Sequence, residues 1–268
     1  MLNVFGLLRN TPQQISANFT SRVIANGGSL TTTEQNAVLA LVTNLQNNGL
    51  WDKIKIIYPF VGGTAASCAV NLVSSNYKAT FSSGWTFAAM GGTPTGANTY
   101  MLANGFNPFL LLPQFDTSFS YYSRTNNTTN GAEIGIQQNP ASPDNRITSI
   151  AYFSGNSQAA LNSYPTGTII TPSPPTTGLW FINRRTNIDM KFFRNGAQIG
   201  ATNTAVETAA LPNAILNFGT LSFNDGINYI STNKQCAFAH AATGFTDSEQ
   251  LKFYNNIQTF QTSLSRQV

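Results

Sequence analysis

Short runs rich in β-branched and aromatic residues fill positions 65 to 240, and Gly, Pro and Asn separate them. Each run has the length and composition of a β-strand, and no stretch between them has the periodicity of a helix. Without helical crossovers, such strands form an antiparallel sandwich or barrel. The strand candidates are GWTFAAM, TYMLANG, SFSYYSRT, GAEIGIQ, RITSIAYFS, GTIITP, GLWFINRRT, MKFFRNGAQIG, AILNFGTLS and KQCAFAHAA.

The stretch KFFRNGAQIG predicts a tight hairpin. Asn195 and Gly196 stand between two strand-like runs. Asn and Gly tolerate the positive φ angles of a type I′ turn, which matches the twist of paired strands. We therefore expect a two-residue turn at this pair.

Two helices are predicted outside the strand region. Thr31 with Glu34, and Thr246 with Glu249, have the spacing of a capping box. Apolar residues then recur at three- and four-residue steps, which is typical of a helix with one buried face. We expect helices near 31–48 and 246–265, both packed on the sandwich.

Charge is scarce in this chain. Charged residues make up 9% of the 268 residues, against roughly 25% in typical soluble proteins. The net charge is +4, but Arg184 and Arg185 are the one adjacent basic pair, so no nucleic-acid partner is predicted. We expect the basic side chains to be solvated. The N-terminus lacks a signal-peptide pattern and no apolar run is long enough for a bilayer, so we expect synthesis in a cytoplasm and no membrane partner.

Catalytic motifs are not visible in the sequence. A glycosidase needs two facing carboxylates, whereas Glu133, Asp144 and Asp189 are isolated along the chain. His240 is the single histidine and lies in the apolar stretch AFAHAATG, which favours a core or turn position. The sequence therefore predicts no catalytic residues and a protein that is not an enzyme.

Metal and cofactor sites are equally sparse. Cys68 and Cys236 lie in small apolar surroundings, which favours free buried thiols, with a disulfide as the alternative. Zinc would need more His and Cys ligands than the chain has. Calcium needs only oxygen ligands, and Asp225 in FNDGIN is the candidate; an ordinary Asp-Gly turn is the alternative. We predict no cofactor.

Aromatic rings beside neutral polar and basic side chains suit a glycan site. In SFSYYSRT the two-residue period places Phe119 and Tyr121 on one face, so Tyr122 and Arg124 should point outward. Trp180 and Arg185 on a second strand are similar candidates. The alternative is that these are surface residues without a ligand.

Several blocks, in this order, carry a family resemblance: SRVIANGGSLTTTEQNAVLALVTNLQNNGLWDKIKIIYPFVGG, FSSGWTFAAMGGTPTGANTYM, FFRNGAQIG and FTDSEQLKFYNNIQTFQTSLSRQV. They resemble the concanavalin A-like, laminin G-like jelly-roll proteins of tailed-phage virions, including phages of the crAss-like group. The likeness covers about residues 20–268. It implies a two-sheet jelly roll over residues 21–268, located in a virion.

The resemblance implies a structural component of the virion surface, such as a decoration, collar, tail or fibre protein. Its expected partners are other virion proteins, including further copies of this chain. The alternative is an adhesin that binds a host surface glycan, and a polysaccharide depolymerase ranks last. Residues 1–20 lie outside the resemblance and are assigned to an N-terminal arm. Its apolar residues form a candidate docking segment: Leu2, Val4, Phe5, Leu7 and Leu8.

Overall fold

The computed structural model describes residues 10–138, 145–164, 166–223 and 229–268. Within these ranges the chain forms two stacked β-sheets, and helices cover the outer face of one of them. The predicted antiparallel sandwich with an N-terminal helix and a C-terminal helix is therefore confirmed. No helix in the described ranges combines the length and the apolar character that crossing a membrane requires.

The strands follow the turn signals of the sequence. They are β1 (Ile54–Tyr58), β2 (Ala79–Phe81), β3 (Trp85–Ala88), β4 (Gly91–Pro94), β5 (Met101–Ala103), β6 (Thr117–Ser123), β7 (Ile134–Gln137), β8 (Asn145–Phe153), β9 (Asn156–Ser163), β10 (Thr168–Ile170), β11 (Gly178–Thr186), β12 (Asp189–Arg194), β13 (Ala197–Gln198), β14 (Asn217–Phe218), β15 (Thr220–Phe223), β16 (Tyr229–Ser231) and β17 (Cys236–Ala242).

Sheet A has the spatial order β13-β12-β11-β6-β17-β4-β3, with β1 also paired to β17. Sheet B has the order β10-β9-β8-β7-β14-β5-β2, and β15 and β16 extend it beside β7. Neighbouring strands are antiparallel except for β15, which runs parallel to β7. The late strand β17 therefore lies in the middle of sheet A, between β6 on one side and β4 and β1 on the other.

The helices begin at the capping residues of the sequence. They are α1 (Pro12–Ala25), α2 (Thr32–Asn47), α3 (Ala65–Cys68), α4 (Pro108–Leu111) and α5 (Asp247–Ser263), with a 3₁₀ turn at Trp51–Lys53. The capping boxes at Thr31 and Thr246 form as predicted. Helix α1 was not predicted; it begins within the assigned arm and continues past the arm's end at residue 20. Its Thr11 and Gln14 also form a capping box.

Two apolar layers hold these elements together. Between the sheets, Phe119, Trp180 and Ile182 of sheet A belong to one buried cluster with Ile134 and Phe218 of sheet B. On the other face of sheet A, a second cluster joins the strands to α1, α2 and α5. Its members include Phe19, Leu41, Tyr122, Phe181, Phe238 and Phe253. Sheet A is therefore covered by apolar residues on both faces. The two-residue alternation of side chains along β6 does not show this.

Three basic side chains are fully buried, so the expectation that the cations are solvated is wrong for them. Arg184 lies 3.7 Å from Glu207, and Lys234 lies 3.4 Å from Glu133. Arg266 donates to backbone oxygens of Pro59, Phe60 and Ala237 and to the side chain of Gln261. Buried charges need such partners because desolvation is costly. Except for Gln261, these partners come from distant parts of the chain, which local sequence patterns do not show.

The predicted hairpin is confirmed. Asn195 and Gly196 have φ angles of 50° and 78°, and Arg194 pairs with Ala197 across the turn. A Cβ atom added at Gly196 would stand 2.6 Å from a ring carbon of Tyr254 on α5. The turn thus needs glycine both for its φ angle and for its contact with α5.

We expect Gly196→Val to lower the free energy of unfolding by about 1–3 kcal/mol, because valine is strained at this φ angle and overlaps Tyr254. Gly155→Val is the matched control, since Gly155 also has a positive φ but no atom lies within 4 Å of its added Cβ. Urea denaturation should show the larger loss for Gly196→Val. Equal losses would mean that the hairpin does not pack on α5.

Candidate binding site

The four residues predicted to contact a glycan do not lie on one surface. Tyr122 and Trp180 have no exposed surface, so the expectation that Tyr122 points into solvent is wrong. Tyr122 does leave the sandwich interior, but helix α5 covers that face, and its hydroxyl donates to Gln258 at 3.0 Å. Trp180 belongs to the interior cluster and donates from its indole nitrogen to the Thr176 carbonyl at 2.9 Å.

Arg124 and Arg185 lie at opposite ends of the β6–β11 pair. Arg124 follows the end of β6 and donates to the Arg266 carbonyl at 2.7 Å and to Gln235 at 2.8 Å. Arg185 follows Arg184, which pairs with Thr117 at the start of β6, and it contacts Asp116 at 3.0 Å. Sugar contact by these two arginines remains a prediction, and the structure does not bring them together.

His240 is a core residue, as the sequence favours. Its Nδ1 lies 2.5 Å from Ser120 Oγ, and its ring packs against Phe181 and Phe253 with ring centroids 5.5 and 4.4 Å away. The side chain has no exposed surface, and burial lowers the pKa of His240 to about 3. The imidazole is therefore neutral at pH 7.

Both cysteines are buried free thiols, in keeping with their apolar sequence context. Burial raises the pKa of Cys68 to about 12. The calcium candidate Asp225 and the docking candidates Leu2, Val4, Phe5, Leu7 and Leu8 lie outside the described residues. Within the described part of the chain, no three His, Cys, Asp or Glu side chains are grouped as metal ligands would be.

An open cleft lies between the C-terminal end of α1 and the loop that leads into β2. Its volume is about 250 Å³, and we call it the Arg22–Lys78 cleft. The loop folds back on α1 because Nη2 of Arg22 donates to the carbonyls of Asn71 and Leu72 at 2.9 and 3.0 Å. Its lining comprises Arg22, Ala25, Asn26, Val70, Asn71, Ser74, Ser75 and Lys78.

Hydrogen bonds hold the polar groups of this cleft in place. The amide of Asn26 donates to the Ala66 carbonyl at 2.7 Å, and its oxygen accepts from Lys78 Nζ at 3.1 Å. The hydroxyl oxygen of Ser74 accepts from Asn71 Nδ2 at 3.3 Å and from the Asn76 backbone at 3.2 Å. The cleft thus presents two amides, two hydroxyls and two cations around one small space.

Three other clefts differ from this one in their lining. They lie between α1 and α2, beside β10, and on α5, with volumes of about 400, 390 and 520 Å³. Hydroxyl and amide side chains line all three, together with apolar side chains in the first two, and none of the three linings contains a charged residue. Among these four clefts, the Arg22–Lys78 cleft is therefore the one that offers charged groups to a ligand. The sequence does not reveal this cleft, because Arg22 and Lys78 lie far apart along the chain.

Comparison with protein-family models and with curated sequences finds no match. Comparison with solved structures finds the same fold in other proteins. Domain 4 of the extracellular GH43 arabinanase AbnA from Geobacillus stearothermophilus, in complex with arabinotriose, is 15% identical, with a TM-score of 0.53; the match covers 75% of this chain and 98% of that one. Trypanosoma rangeli sialidase in complex with sialic acid is 10% identical, with a TM-score of 0.54, and the match covers 76% of this chain. This chain spans 33% of the sialidase.

These likenesses correct the expectation that the protein is not an enzyme. The arabinanase and the sialidase are enzymes by name, and the first match is to one domain of its enzyme, so this fold occurs within enzymes and gives no ground for excluding catalysis. The expectation relied on carboxylates that are isolated along the sequence. Strands distant in sequence can still bring such groups together, and fold alone does not decide activity.

Proposed function

We propose that this protein is a glycan-binding domain that recognises a surface polysaccharide of a host cell through the Arg22–Lys78 cleft. The observation that carries the proposal is the lining of this cleft, in which hydroxyl, amide and cationic groups surround an open space. Sugar hydroxyls need such donors and acceptors. The volume is below the roughly 300–1,000 Å³ of pockets for drug-sized ligands, so the cleft suits one sugar unit of a longer chain.

The fold likenesses support a sugar as the ligand. The arabinanase domain and the sialidase were both solved with a saccharide bound. Their low identity establishes the shared fold and transfers no residue to this chain. The proposal for the cleft therefore depends on its own geometry.

We place this domain on the surface of a tailed-phage virion. The support is the sequence resemblance over about residues 20–268. A structural role, in which the sandwich docks on other virion proteins, is the second candidate and has the same support. Antibody labelling of intact particles distinguishes an exposed position from a covered one.

Filling the cleft tests the proposed function. Ala25 lies on the exposed side of α1 and lines the cleft, so Ala25→Trp should block it without changing charge. We expect this variant to lose at least about tenfold in affinity for the polysaccharide that an array identifies. Ala40→Trp, at an exposed helical alanine of α2 outside the cleft lining, is the matched control and should bind normally. Equal binding by both variants would show that the sugar binds outside this cleft.

A further inference from the structure

The Arg22–Lys78 cleft carries an unbalanced positive charge. Arg22 and Lys78 line it, and no carboxylate does. The ion pairs seen among the described residues use other cations, namely Lys53, Arg184, Arg185, Lys191 and Lys234. In a chain with 9% charged residues, two cations at one small cleft that form no ion pair with a described residue constitute a strong local feature.

The guanidinium of Arg22 is held in a fixed orientation. Its two bonds to backbone carbonyls both leave from Nη2. Within the described residues its Nε is buried and has no acceptor. An arginine has five N–H donors, and Nη1 makes no bond among the described residues, so this group keeps donor capacity after the loop has been anchored. Desolvation lowers the pKa of Arg22, and no carboxylate offsets this cost.

Two further side chains that line the cleft have donors available. Lys78 is exposed and its one described hydrogen bond goes to Asn26, so its ammonium has donors to spare. The Ser74 oxygen accepts two bonds, which leaves its hydroxyl hydrogen free to donate. A guanidinium, an ammonium and a hydroxyl together match an acceptor with several oxygen atoms and a negative charge.

The C-terminus of α1 opposes the binding of an anion in this cleft only weakly. A helix C-terminus carries the equivalent of about half a negative charge on its free carbonyls. Here the carbonyls of Arg22, Val23 and Ile24 accept bonds from the backbone of residues 26–28. Two full positive charges therefore outweigh the helix end.

We infer that the Arg22–Lys78 cleft selects an acidic sugar by binding its oxyanion substituent. The sugar part of this inference rests on the proposed function. The anion part rests on the charges and donors described above. The shared ligand chemistry is a compact oxyanion, which a uronic acid carboxylate or a phosphate group can supply.

A matched pair of ligands tests the inference by titration calorimetry. Trigalacturonate and its fully methyl-esterified form differ in charge and little else. We expect the acid to bind the wild-type protein at least about tenfold more tightly than the ester, and added salt to reduce this ratio. Lys78→Gln should bring the affinity for the acid close to that for the ester. Lys252→Gln, at an exposed lysine of α5, should leave it unchanged. Lys78 is the primary variant because Arg22 also anchors the loop.

The remaining outcomes separate the two proposals. Equal binding of acid and ester, with no effect of Lys78→Gln, overturns the acidic-sugar inference and leaves glycan binding standing. Binding of inorganic phosphate but of neither saccharide overturns both the inference and the proposed function, and defines a phosphate site. Absence of binding for all three probes overturns the acidic-sugar inference, whereas the proposed function is overturned only if the glycan array also shows no binding.

Discussion

Replacing Lys234 with methionine is expected to lower the free energy of unfolding by about 3–5 kcal/mol, because it leaves the carboxylate of Glu133 buried without its cation. Both side chains have no exposed surface. Glu133 also accepts from the Ala151 backbone at 2.6 Å and from Thr232 at 2.9 Å, and these bonds hold it in place without neutralising it. Chemical denaturation at neutral pH measures the loss.

Two variants show whether charge is the cause. The double variant Glu133→Gln with Lys234→Met removes both charges and should recover most of the lost stability, since neutral replacements of a buried pair are often tolerated. Arg185→Met breaks the half-exposed pair with Asp116 and should cost less than about 1 kcal/mol. A double variant as unstable as the single one would contradict the charge explanation.

Acid should destabilise the protein through His240. The unfolded chain takes up a proton near the ordinary pKa of 6.5, whereas the folded chain does so only near pH 3. The stability that this neutral imidazole contributes is complete above pH 6.5 and is lost as the pH falls from 6.5 towards 3. The expected loss between pH 7.5 and pH 4 is about 3 kcal/mol.

Comparison with His240→Phe isolates this effect, because the variant keeps every carboxylate of the chain. Its stability should fall less steeply with acid than that of the wild-type protein, even if it is lower at pH 7.5. Denaturation curves at several pH values measure the difference. Two parallel pH profiles would show that His240 does not titrate on unfolding.

The parts of the fold that were predictable depend on local signals. The capping boxes at Thr31 and Thr246 and the turn at Asn195 each lie within a few residues of chain, and all three form. Helix α1 had such a signal too. Thr11 and Gln14 have capping spacing with Pro12 between them, and the buried residues Ile15, Phe19 and Val23 recur every four positions.

The candidate site was not predictable in the same way. Alternation along β6 correctly separates Tyr121 from Tyr122, but a two-residue period cannot show that helix α5 covers the second face. Trp180 was assigned to the surface by its residue type, although it fills the interior. Arg22 and Lys78 meet only because the loop before β2 folds back on α1. Contacts between residues this far apart along the chain can be recognised only in the tertiary structure.

The position of β17 has a consequence for the order of folding. This strand pairs with β6, β4 and β1, which all precede it by a long stretch of chain. During synthesis, each of those three strands therefore has one edge without its final partner until residues 236–242 have left the ribosome. Contacts of such range slow folding, and exposed strand edges invite pairing between nascent chains. Pairing of β17 closes these strand edges, and helix α5, which follows directly, then covers the apolar outer face of the same sheet.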